Sequence, residues 1–361
     1  MHILVNTGGG DAPGLNAVIR AVTLSALRRG WKVTGIRRGY QGLLEPESEG
    51  LIDLTRESVR GIAHLGGTML GTLNKGHPFE YPMEVDGKIV ATDISDKILE
   101  RFREVGGDAL IAIGGDGSFR IASRFGAKGM PIVGVPKTID NDLSCTQATF
   151  GFDTAVTVAT EAIYRLHTTA ESHERIMIVE LMGRDAGWIA MHAGVAGNAH
   201  VILLPEIPFR LDKVVDHLKR RYASGRRYAI VVCAEGAIPV GGLQTITHKE
   251  MGGEIRKRKF GMAELLEDKI NELTKFETRS LVLGHLQRGG SPTHRDRLLA
   301  LRFGAAAVRM VEAKQFGHLV AYHPPHMVPV PIEEAIAVTK TVPLDSDTVQ
   351  TARDLGICLG D

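Results

Sequence analysis

The sequence predicts an α/β protein of two Rossmann-like lobes, each with a mostly parallel sheet flanked by helices. Three observations predict it. Short apolar runs typical of buried strands alternate with longer stretches of helical periodicity, which is the pattern of repeated βαβ units. Many of the 42 glycines fall in loops directly after the apolar runs, where tight turns need them. A length of 361 residues suggests two lobes more than one.

The predicted elements alternate along the chain. The first set has strands at residues 2–6, 31–36, 109–113 and 131–135 and helices at residues 15–29 and 96–105. The second set has helices at residues 153–170 and 211–223 and strands at residues 175–181, 201–204 and 228–233. Because helices separate successive strands, the strands are expected to pair in parallel.

Composition argues against several classes of function. The 43 basic and 42 acidic residues nearly cancel, so neither nucleic acid nor a membrane is an expected partner. No apolar run approaches membrane-spanning length, and the strand beginning at residue 2 leaves no room for a signal peptide. Cys145, Cys233 and Cys358 form no Cys-x-x-Cys pair, which predicts neither a disulfide framework nor a zinc site. We expect a soluble, cytoplasmic protein.

The first chemical motif is Gly-Gly-Asp-Gly-Ser at residues 114–118, which follows an apolar strand and opens into a helix. Its glycines let backbone amides approach a phosphate at a helix N-terminus. The carboxylate of Asp116 offers Mg²⁺ a hard oxygen ligand. Taken alone, the motif is also a common tight turn with a helix cap.

The second motif is Pro-Lys-Thr-Ile-Asp-Asn-Asp at residues 136–142, after the next apolar strand. It puts Asp140 and Asp142 at the carboxyl end of a strand, where open α/β sheets hold their ligands. One carboxylate would serve as a base and the other as a metal partner. Two carboxylates in a loop are usually solvated, but the occurrence of both motifs in one α/β unit indicates a phosphoryl-transfer site.

Five motifs, all in the family's order, resemble the phosphofructokinase family. Besides the two loops, they are Thr-Gly-Gly-Gly-Asp-Ala-Pro-Gly-Leu-Asn at residues 7–16, Met-Gly-Arg at 182–184 and Gly-His-Leu-Gln-Arg-Gly-Gly at 284–290. The likeness extends from residue 2 to at least residue 297, and the conjunction of five motifs is highly specific. It implies phosphorylation of fructose 6-phosphate at C1, in glycolysis, with ATP as co-substrate, Mg²⁺ as cofactor and the active site between the lobes.

The resemblance also assigns roles to residues. Asp140 would be the base that takes the C1 hydroxyl proton, and Asp116 would hold Mg²⁺. The other residues expected to be catalytic are Thr138, Asp142, Arg184 and Lys137. The residues expected at the ATP site are Gly10, Asn74, Lys75, Gly115, Asp116, Gly117 and Ser118. The residues expected around the sugar phosphate are Thr138, Ile139, Asp140, Arg175, Met182, Gly183, Arg184, Glu235, Arg279, His285, Leu286, Gln287 and Arg288.

The arginines suit these roles because a guanidinium fork binds phosphate bidentately, although an arginine in isolation is more often a solvated surface charge. Arg175 and Arg279 match arginines that family members lend to the neighbouring subunit's sugar phosphate. That implies a homodimer or a homotetramer, and the sequence does not separate the two. His285 follows an apolar run and is equally compatible with a core histidine.

Two positions bear on the phosphoryl donor and point in opposite directions. Pyrophosphate-dependent relatives carry a second Asp after Gly-Gly-Asp, whose carboxylate would crowd and repel the α-phosphate of ATP, whereas Gly117 leaves that space open. Lys137 resembles the pyrophosphate-dependent branch, and bacterial ATP enzymes tend to have Gly there. Because steric exclusion decides more firmly than one added charge, we favour ATP and keep pyrophosphate as the alternative.

Other positions depart from the bacterial ATP-dependent pattern. Asn74 and Lys75 stand where those enzymes place an Arg, and Lys75 is the candidate to replace its charge. Arg20 matches one arginine of the bacterial ADP effector site, but Leu24 stands where a second would be. The sequence therefore matches that effector site only in part and does not identify an effector.

Because residues 279–288 resemble a segment lining the site between the lobes, the chain is expected to cross between lobes more than once. The expected nucleotide-binding lobe comprises residues 1–145 and about 275–315, and the sugar-phosphate lobe about 146–274 and 316–361. Residues 236–261, which include a basic run at 256–259, are expected to be a surface excursion. Residues 333–361 carry no assignable motif.

Competing interpretations fit less well. A dinucleotide-dependent dehydrogenase would need a third glycine where Pro13 stands, and a P-loop beginning at Gly71 would need Lys where His77 stands. NAD and diacylglycerol kinases share the Gly-Gly-Asp-Gly turn but lack the sugar-phosphate motifs. A non-catalytic sugar-phosphate sensor would need neither Asp116 nor Asp140.

Overall fold

The computed structural model describes residues 1–73, 76–85, 87–242 and 261–361. The chain folds into two compact units. The first unit comprises Met1–Ile139, Leu143–Thr154 and Arg288–Thr339, and the second comprises Asp140–Asp142, Ala155–Gln287 and Lys340–Asp361. The chain therefore enters each unit more than once.

Strands and helices alternate over most of the described residues. The strands are β1 (His2–Thr7), β2 (Lys32–Ile36), β3 (Leu51–Asp53), β4 (Tyr81–Val85), β5 (Lys88–Thr92), β6 (Ala109–Gly114), β7 (Ile132–Pro136), β8 (Ile176–Leu181), β9 (Val201–Leu203), β10 (Ala229–Ala234), β11 (Thr278–Val282), β12 (His318–His323) and β13 (His326–Pro331). The helices are α1 (Leu15–Leu27), α2 (Glu47–Gly50), α3 (Ser95–Glu104), α4 (Asp116–Ala127), α5 (Phe152–Ser172), α6 (Trp188–Ala196), α7 (Leu211–Ala223), α8 (Met262–Thr274), α9 (His294–Glu312), α10 (Ile332–Ala337) and α11 (Asp347–Asp354).

The first unit is built on a seven-stranded sheet in the order β13-β12-β7-β6-β1-β2-β3. The five inner strands run parallel, and β13 and β3 join the two edges antiparallel. Alternate residues of β1 face opposite helix layers. Ile3 and Val5 lie in the core that includes residues of α1 and α9, whereas Leu4 lies in the core that includes residues of α3 and α4. Burial of apolar side chains on both faces makes this sheet the stable base for its loops.

The second unit is built on a four-stranded, all-parallel sheet in the order β11-β8-β10-β9. Apolar residues of β8 and β10, among them Ile178 and Val231, share a core with Val214 of α7 and Leu266 of α8. The prediction of an α/β fold with mostly parallel sheets flanked by helices is confirmed. In the described part of the chain, no helix is long and apolar enough to cross a membrane.

The units differ in two places from the lobes expected from the sequence. Residues of β11, expected in the first lobe, pair with β8 in the second sheet. Residues of β12 and β13, expected in the second lobe, extend the first sheet through pairing of β12 with β7. These strands were absent from the predicted elements, and strand pairing over long sequence separations is decided by tertiary contacts that local patterns do not encode.

A buried carboxyl group joins α9 to the start of α5 within the first unit. Asp296 is 1% exposed, and its Oδ2 accepts hydrogen bonds from the backbone nitrogen of Thr154 at 2.7 Å and from Thr154 Oγ1 at 2.6 Å. Thr293 caps α9 by accepting from the backbone nitrogen of Asp296. Burial raises the pKa of Asp296 to about 6, against the hydrogen bonds from Thr154, which lower it.

The raised pKa of Asp296 predicts a pH-dependent effect of the substitution Asp296→Asn. A carboxyl group with a higher pKa in the folded protein stabilises the fold at low pH, and that contribution is lost as pH rises through the folded-state value. The free energy of unfolding of the variant relative to wild type should therefore increase by roughly 2 kcal/mol between pH 4.5 and 7.5. The measurement is the difference in melting temperature between the two proteins across this pH range. The control is Asp216→Asn, which removes an exposed carboxyl group on α7. A difference independent of pH would contradict the prediction.

Candidate phosphoryl-transfer site

The Gly-Gly-Asp-Gly motif lies at the join of β6 and α4. Gly114 ends β6 and Asp116 is the first residue of α4, so the first backbone amides of the helix, which have no carbonyl partner within it, lie at its N-terminus. The Asp116 side chain is 38% exposed and forms an ion pair from Oδ2 to Arg120 Nε at 3.1 Å, one turn along the helix. Sequence reasoning missed Arg120, which the four-residue spacing on a predicted helix would have indicated.

The space beside Gly117 is open. Apart from its chain neighbours and the backbone of its own helix, a Cβ atom built at this position would meet no described atom within 4 Å. Ser118 is packed more tightly: a Cβ at Gly8 would lie 2.7 Å from Ser118 Oγ, and one at Gly114 would also collide with Ser118. The glycines at positions 8 and 114 therefore make room for the serine, whereas Gly117 faces unfilled space.

The loop at residues 7–16 accepts hydrogen bonds from side chains in other segments of the first unit. Thr72 Oγ1 donates to the carbonyl oxygen of Gly9 at 2.5 Å, and Arg288 Nη1 donates to that of Asp11 at 3.1 Å. A Cβ at Gly10 would lie 3.0 Å from Arg288 Nη1. Arg288, expected beside the sugar phosphate, thus lies against this loop. Sequence reasoning missed Thr72.

Lys137, in the loop after β7, is buried. Its side chain is inside the first unit, with the residue 4% exposed, and Nζ donates to the carbonyl oxygen of Gly10. Its backbone nitrogen donates to the carbonyl oxygen of Gly114 at 2.8 Å. One residue therefore connects the Gly-Gly-Asp-Gly motif to the loop at residues 7–16 and places an ammonium group beneath it.

The loop after β7 is also buried. Thr138, Ile139, Asp140 and Asn141 are each at most 8% exposed. Thr149 Oγ1 donates to the carbonyl oxygen of Thr138 at 2.8 Å. Asp140–Asp142 belong to the second unit, where Asp140 Oδ2 lies 3.8 Å from Nε of Arg184. The Arg184 side chain is 64% exposed, so the pair joins a buried carboxylate to a guanidinium that reaches solvent.

Glu235 fixes the backbone that carries Arg184. Its Oε1 accepts from the backbone nitrogens of Gly183 at 3.3 Å and Arg184 at 2.9 Å. Both residues have positive φ, 148° and 53° respectively, so the loop after β8 turns in a conformation that few residues adopt. Met182 is the residue between β8 and this turn. The carboxylate offsets the strained turn through two hydrogen bonds.

The residues predicted to bind substrate on the 3₁₀ helix Gly284–Arg288 differ in solvent exposure. His285 is exposed, which excludes a core histidine. Leu286 is 69% exposed. Gln287 is fully buried, and its Nε2 donates to the carbonyl oxygen of Gly284 at 3.0 Å. Gln287, expected to bind substrate, therefore stabilises the turn and has no surface to offer a ligand.

Arg175 and Arg279 lie far from Arg184 within the same unit. Both guanidinium groups contact Oε1 of Glu277, at 2.8 and 2.7 Å, and hydrogen bonding to Arg175 is the largest cause of the lowered pKa of Glu277. Arg175 precedes the first residue of β8, whereas Arg184 follows its last. Six strand residues span about 20 Å, which exceeds the reach of an arginine side chain.

Asn74 and Lys75 lie outside the described residues, as does the basic run at residues 256–259.

A cavity of about 770 Å³ in the second unit has a basic lining that includes His200, His217, Arg220, Arg221 and Arg226. Burial and the nearby Arg221 charge lower the pKa of His200 to about 3. None of the residues predicted for the site lines this cavity. Because burial also lowers the pKa of His217, the positive charge of the cavity lining at neutral pH comes from the arginines.

A parallel sheet with a glycine-rich loop at a helix N-terminus, together with a buried carboxylate beside an arginine, is typical of phosphoryl-transfer proteins. The chain belongs to the phosphofructokinase family, whose sequence model, described as Phosphofructokinase, matches residues 2–311. The family predicted from the motifs is confirmed.

The chain is similar to relatives that differ in donor. It is 48% identical over 361 residues to an ATP-dependent 6-phosphofructokinase of Chloroflexus aggregans, covering 100% of this chain and 98% of that protein. It is 47% identical over 345 residues to a pyrophosphate–fructose 6-phosphate 1-phosphotransferase of Amycolatopsis methanolica, covering 95% and 96%. Phosphofructokinase from Saccharomyces cerevisiae superposes with a TM-score of 0.79 at 31% identity, covering 93% of this chain but only 44% of that longer chain.

Proposed function

We propose that this protein transfers a phosphoryl group from MgATP to the C1 hydroxyl of fructose 6-phosphate, the reaction of an ATP-dependent 6-phosphofructokinase. The observation that carries the proposal is the pairing of Asp140 with Arg184 at 3.8 Å in a chain of the phosphofructokinase family. Relatives named for this activity align over the whole chain. Retention of this carboxylate and of Asp116 argues against a non-catalytic sensor, which needs neither.

Asp140 is the general base in this proposal. Its carboxylate accepts the proton of the C1 hydroxyl as that oxygen attacks the terminal phosphoryl group, and the bond to the leaving phosphate oxygen breaks. Burial keeps the carboxylate in one orientation, because residues 139–141 are enclosed by the protein. Phosphoryl transfer needs positioning and charge stabilisation more than covalent chemistry.

Arg184 supplies charge stabilisation. A phosphoryl group in transfer spreads negative charge over three oxygens, and a guanidinium binds such oxygens bidentately. The exposed end of the Arg184 side chain leaves donors free to do so, while Glu235 holds the backbone at its base. His285, exposed on its 3₁₀ helix, is proposed to contact the sugar phosphate.

Asp116 fits a magnesium ligand of this kind of site. Mg²⁺ is usually bound through one or two carboxylates together with substrate phosphates, so a single carboxylate at the N-terminus of α4 is sufficient. Arg120 is paired with Asp116, so it would have to share the carboxylate with Mg²⁺ or release it to the ion. The ion, when bound, would neutralise charge on the donor phosphates.

The open space at Gly117 favours ATP as donor. The two relatives above are almost equally identical to this chain, so overall identity does not separate the donors. The volume that a side chain at position 117 would occupy is empty of atoms from other parts of the described chain. This leaves room for the nucleotide part of ATP. Lys137, fixed on the carbonyl oxygen of Gly10, contributes positive charge that suits either donor.

Asp140→Asn tests the base. The amide cannot accept the proton, so kcat should fall by at least about 100-fold, while the KM for fructose 6-phosphate stays near its original value. The measurement is a steady-state assay with MgATP. Asp268→Asn, an exposed carboxyl group on α8, is the matched control and should leave kcat unchanged. An unchanged kcat in Asp140→Asn would rule out this assignment.

Gly117→Asp tests the donor space. The added carboxylate would enter the open volume and repel the α-phosphate, so the KM for ATP should rise at least about tenfold through charge repulsion and crowding. Pyrophosphate has only two phosphates and therefore none at the position of the α-phosphate of ATP. Its KM should rise less than that of ATP. Gly126→Asp, on the same helix and equally open, is the control. Equal losses with both donors would contradict a role of Gly117 in donor choice.

Arg175 and Arg279 are proposed to serve the site of a neighbouring subunit. Their separation from Arg184, about 20 Å along β8, prevents them from acting with Arg184 of their own chain. Two arginines converging on the single carboxylate of Glu277 form a positively charged group that a phosphate on a second copy would match.

Subunit mixing tests this assignment. Asp140→Asn and the double variant Arg175→Ala/Arg279→Ala should each be inactive, yet mixed oligomers should regain activity, because a site with intact Asp140 receives intact arginines from the partner. Mixing Asp140→Asn with Arg184→Ala should restore nothing, since those residues act in the same subunit's site. No recovery after subunit exchange verified by native mass spectrometry would exclude shared sites.

A further inference from the structure

The segment at residues 340–342, for which the sequence suggested no role, contacts the loop that carries the proposed base. The backbone nitrogen of Lys340 donates to the carbonyl oxygen of Asp142 at 2.8 Å. Its Nζ donates to Oδ1 of Asn141 at 3.1 Å. Lys340 therefore binds two consecutive residues of the Asp140–Asp142 loop, one through its backbone and one through its side chain.

The residue that Lys340 holds is in an uncommon conformation. Asn141 has φ of 52°, in the left-handed region that L-residues other than glycine seldom adopt. It is 5% exposed and lies between Asp140 and Asp142, so its backbone angles set where the two carboxylates point. A hydrogen bond from an ammonium group to its side chain is of the stronger, charge-assisted kind and opposes relaxation of this turn.

The same segment also contacts the first helical residue after the loop that carries Arg184. Trp188, the first residue of α6 after that loop, donates from Nε1 to the carbonyl oxygen of Lys340 at 2.9 Å. Lys340 Nζ lies 5.4 Å from the centre of the Trp188 ring. Oε1 of Glu206 accepts at 2.9 Å from the backbone nitrogens of both Gly187 and Val342. Residues 340–342 are thus bonded directly to the Asp140–Asp142 loop and to Trp188, and they share the acceptor Glu206 with Gly187 at the end of the loop that carries Arg184.

We propose that Lys340 is a positioning residue that sets the distance between the proposed base Asp140 and Arg184. It acts through Asn141 on one side and through Trp188 on the other, and it does not touch the reacting atoms. The inference rests on the proposed phosphoryl transfer, in which a displacement of the base by about 1 Å can cost up to a hundredfold in rate. It gives the C-terminal segment a role in catalysis.

Lys340→Met is the first variant to measure. Methionine keeps an unbranched apolar side chain against Trp188 and the backbone bond to Asp142, and removes only the ammonium donor. We expect kcat with MgATP to fall by about tenfold or more, the KM for fructose 6-phosphate to change less than kcat, and the melting temperature to stay close to wild type. Lys219→Met, an exposed lysine on α7, should show none of these changes.

A double-mutant cycle distinguishes positioning from simple packing. Asn141→Gly keeps the left-handed backbone and deletes the acceptor, so it should lower kcat like Lys340→Met, and the double variant should lose no more than either one. Additive losses, or an unchanged kcat in either single variant, would overturn the proposal. Should Lys340→Met not fold, Trp188→Phe, which removes the donor to the Lys340 carbonyl oxygen, replaces it, and an unchanged kcat there overturns the proposal.

The wild-type protein is assayed first with fructose 6-phosphate and MgATP. No turnover by wild type would remove the proposed function and, with it, the catalytic role of Lys340. Turnover by wild type with no coupling between Lys340 and Asn141 would remove only the role of Lys340.

Discussion

The parallel register of β1, β6 and β7 is the constraint on which the first unit's loops depend. Thr7 lies opposite Ile113, and Gly114 lies opposite Pro136, so the three strands end at the same edge of the sheet. The loops that follow are then close enough to bond one another, as the backbone nitrogen of Lys137 does with Gly114. Because both faces of this sheet are buried under helices, slipping one strand would move a whole apolar set into the wrong layer.

In the second unit, too, parallel strands end at the same edge of the sheet, but there a glutamate side chain bonds the neighbouring loop. Ala234 pairs with Leu181, so Glu235 emerges beside the loop that carries Arg184 and bonds its backbone. The direction of the parallel strands also separates two groups of basic side chains. Glu235, at the carboxyl end of β10, bonds the backbone of Arg184, while Arg175 and Arg279 contact Glu277 at the opposite ends of the strands. One sheet thereby presents two basic groups to different surroundings.

Lys137 places a positive charge inside the first unit, next to the loop at residues 7–16. Lys137 is buried, and a buried ammonium group is costly unless hydrogen bonds and nearby negative charge compensate it. The carbonyl oxygen of Gly10 provides one such bond, and an anionic ligand on the adjacent loop would provide more. ATP and pyrophosphate are both anions, so Lys137 suits either donor, and the proposed preference for ATP depends on the open space at Gly117.

The sequence by itself determined the α/β class, most inner strands and the motifs of the family, because apolar periodicity and glycine-rich turns are local properties of the chain. It also brought Asp116, Asp140 and Arg184 forward as candidates. Only the tertiary structure decided that β11 joins the second sheet, that Gln287 is enclosed while His285 is exposed, and that Lys340 meets Asn141. Those outcomes depend on contacts between residues far apart in the chain, whose pairing arises when sheets and helices pack and leaves no periodic signal in the sequence.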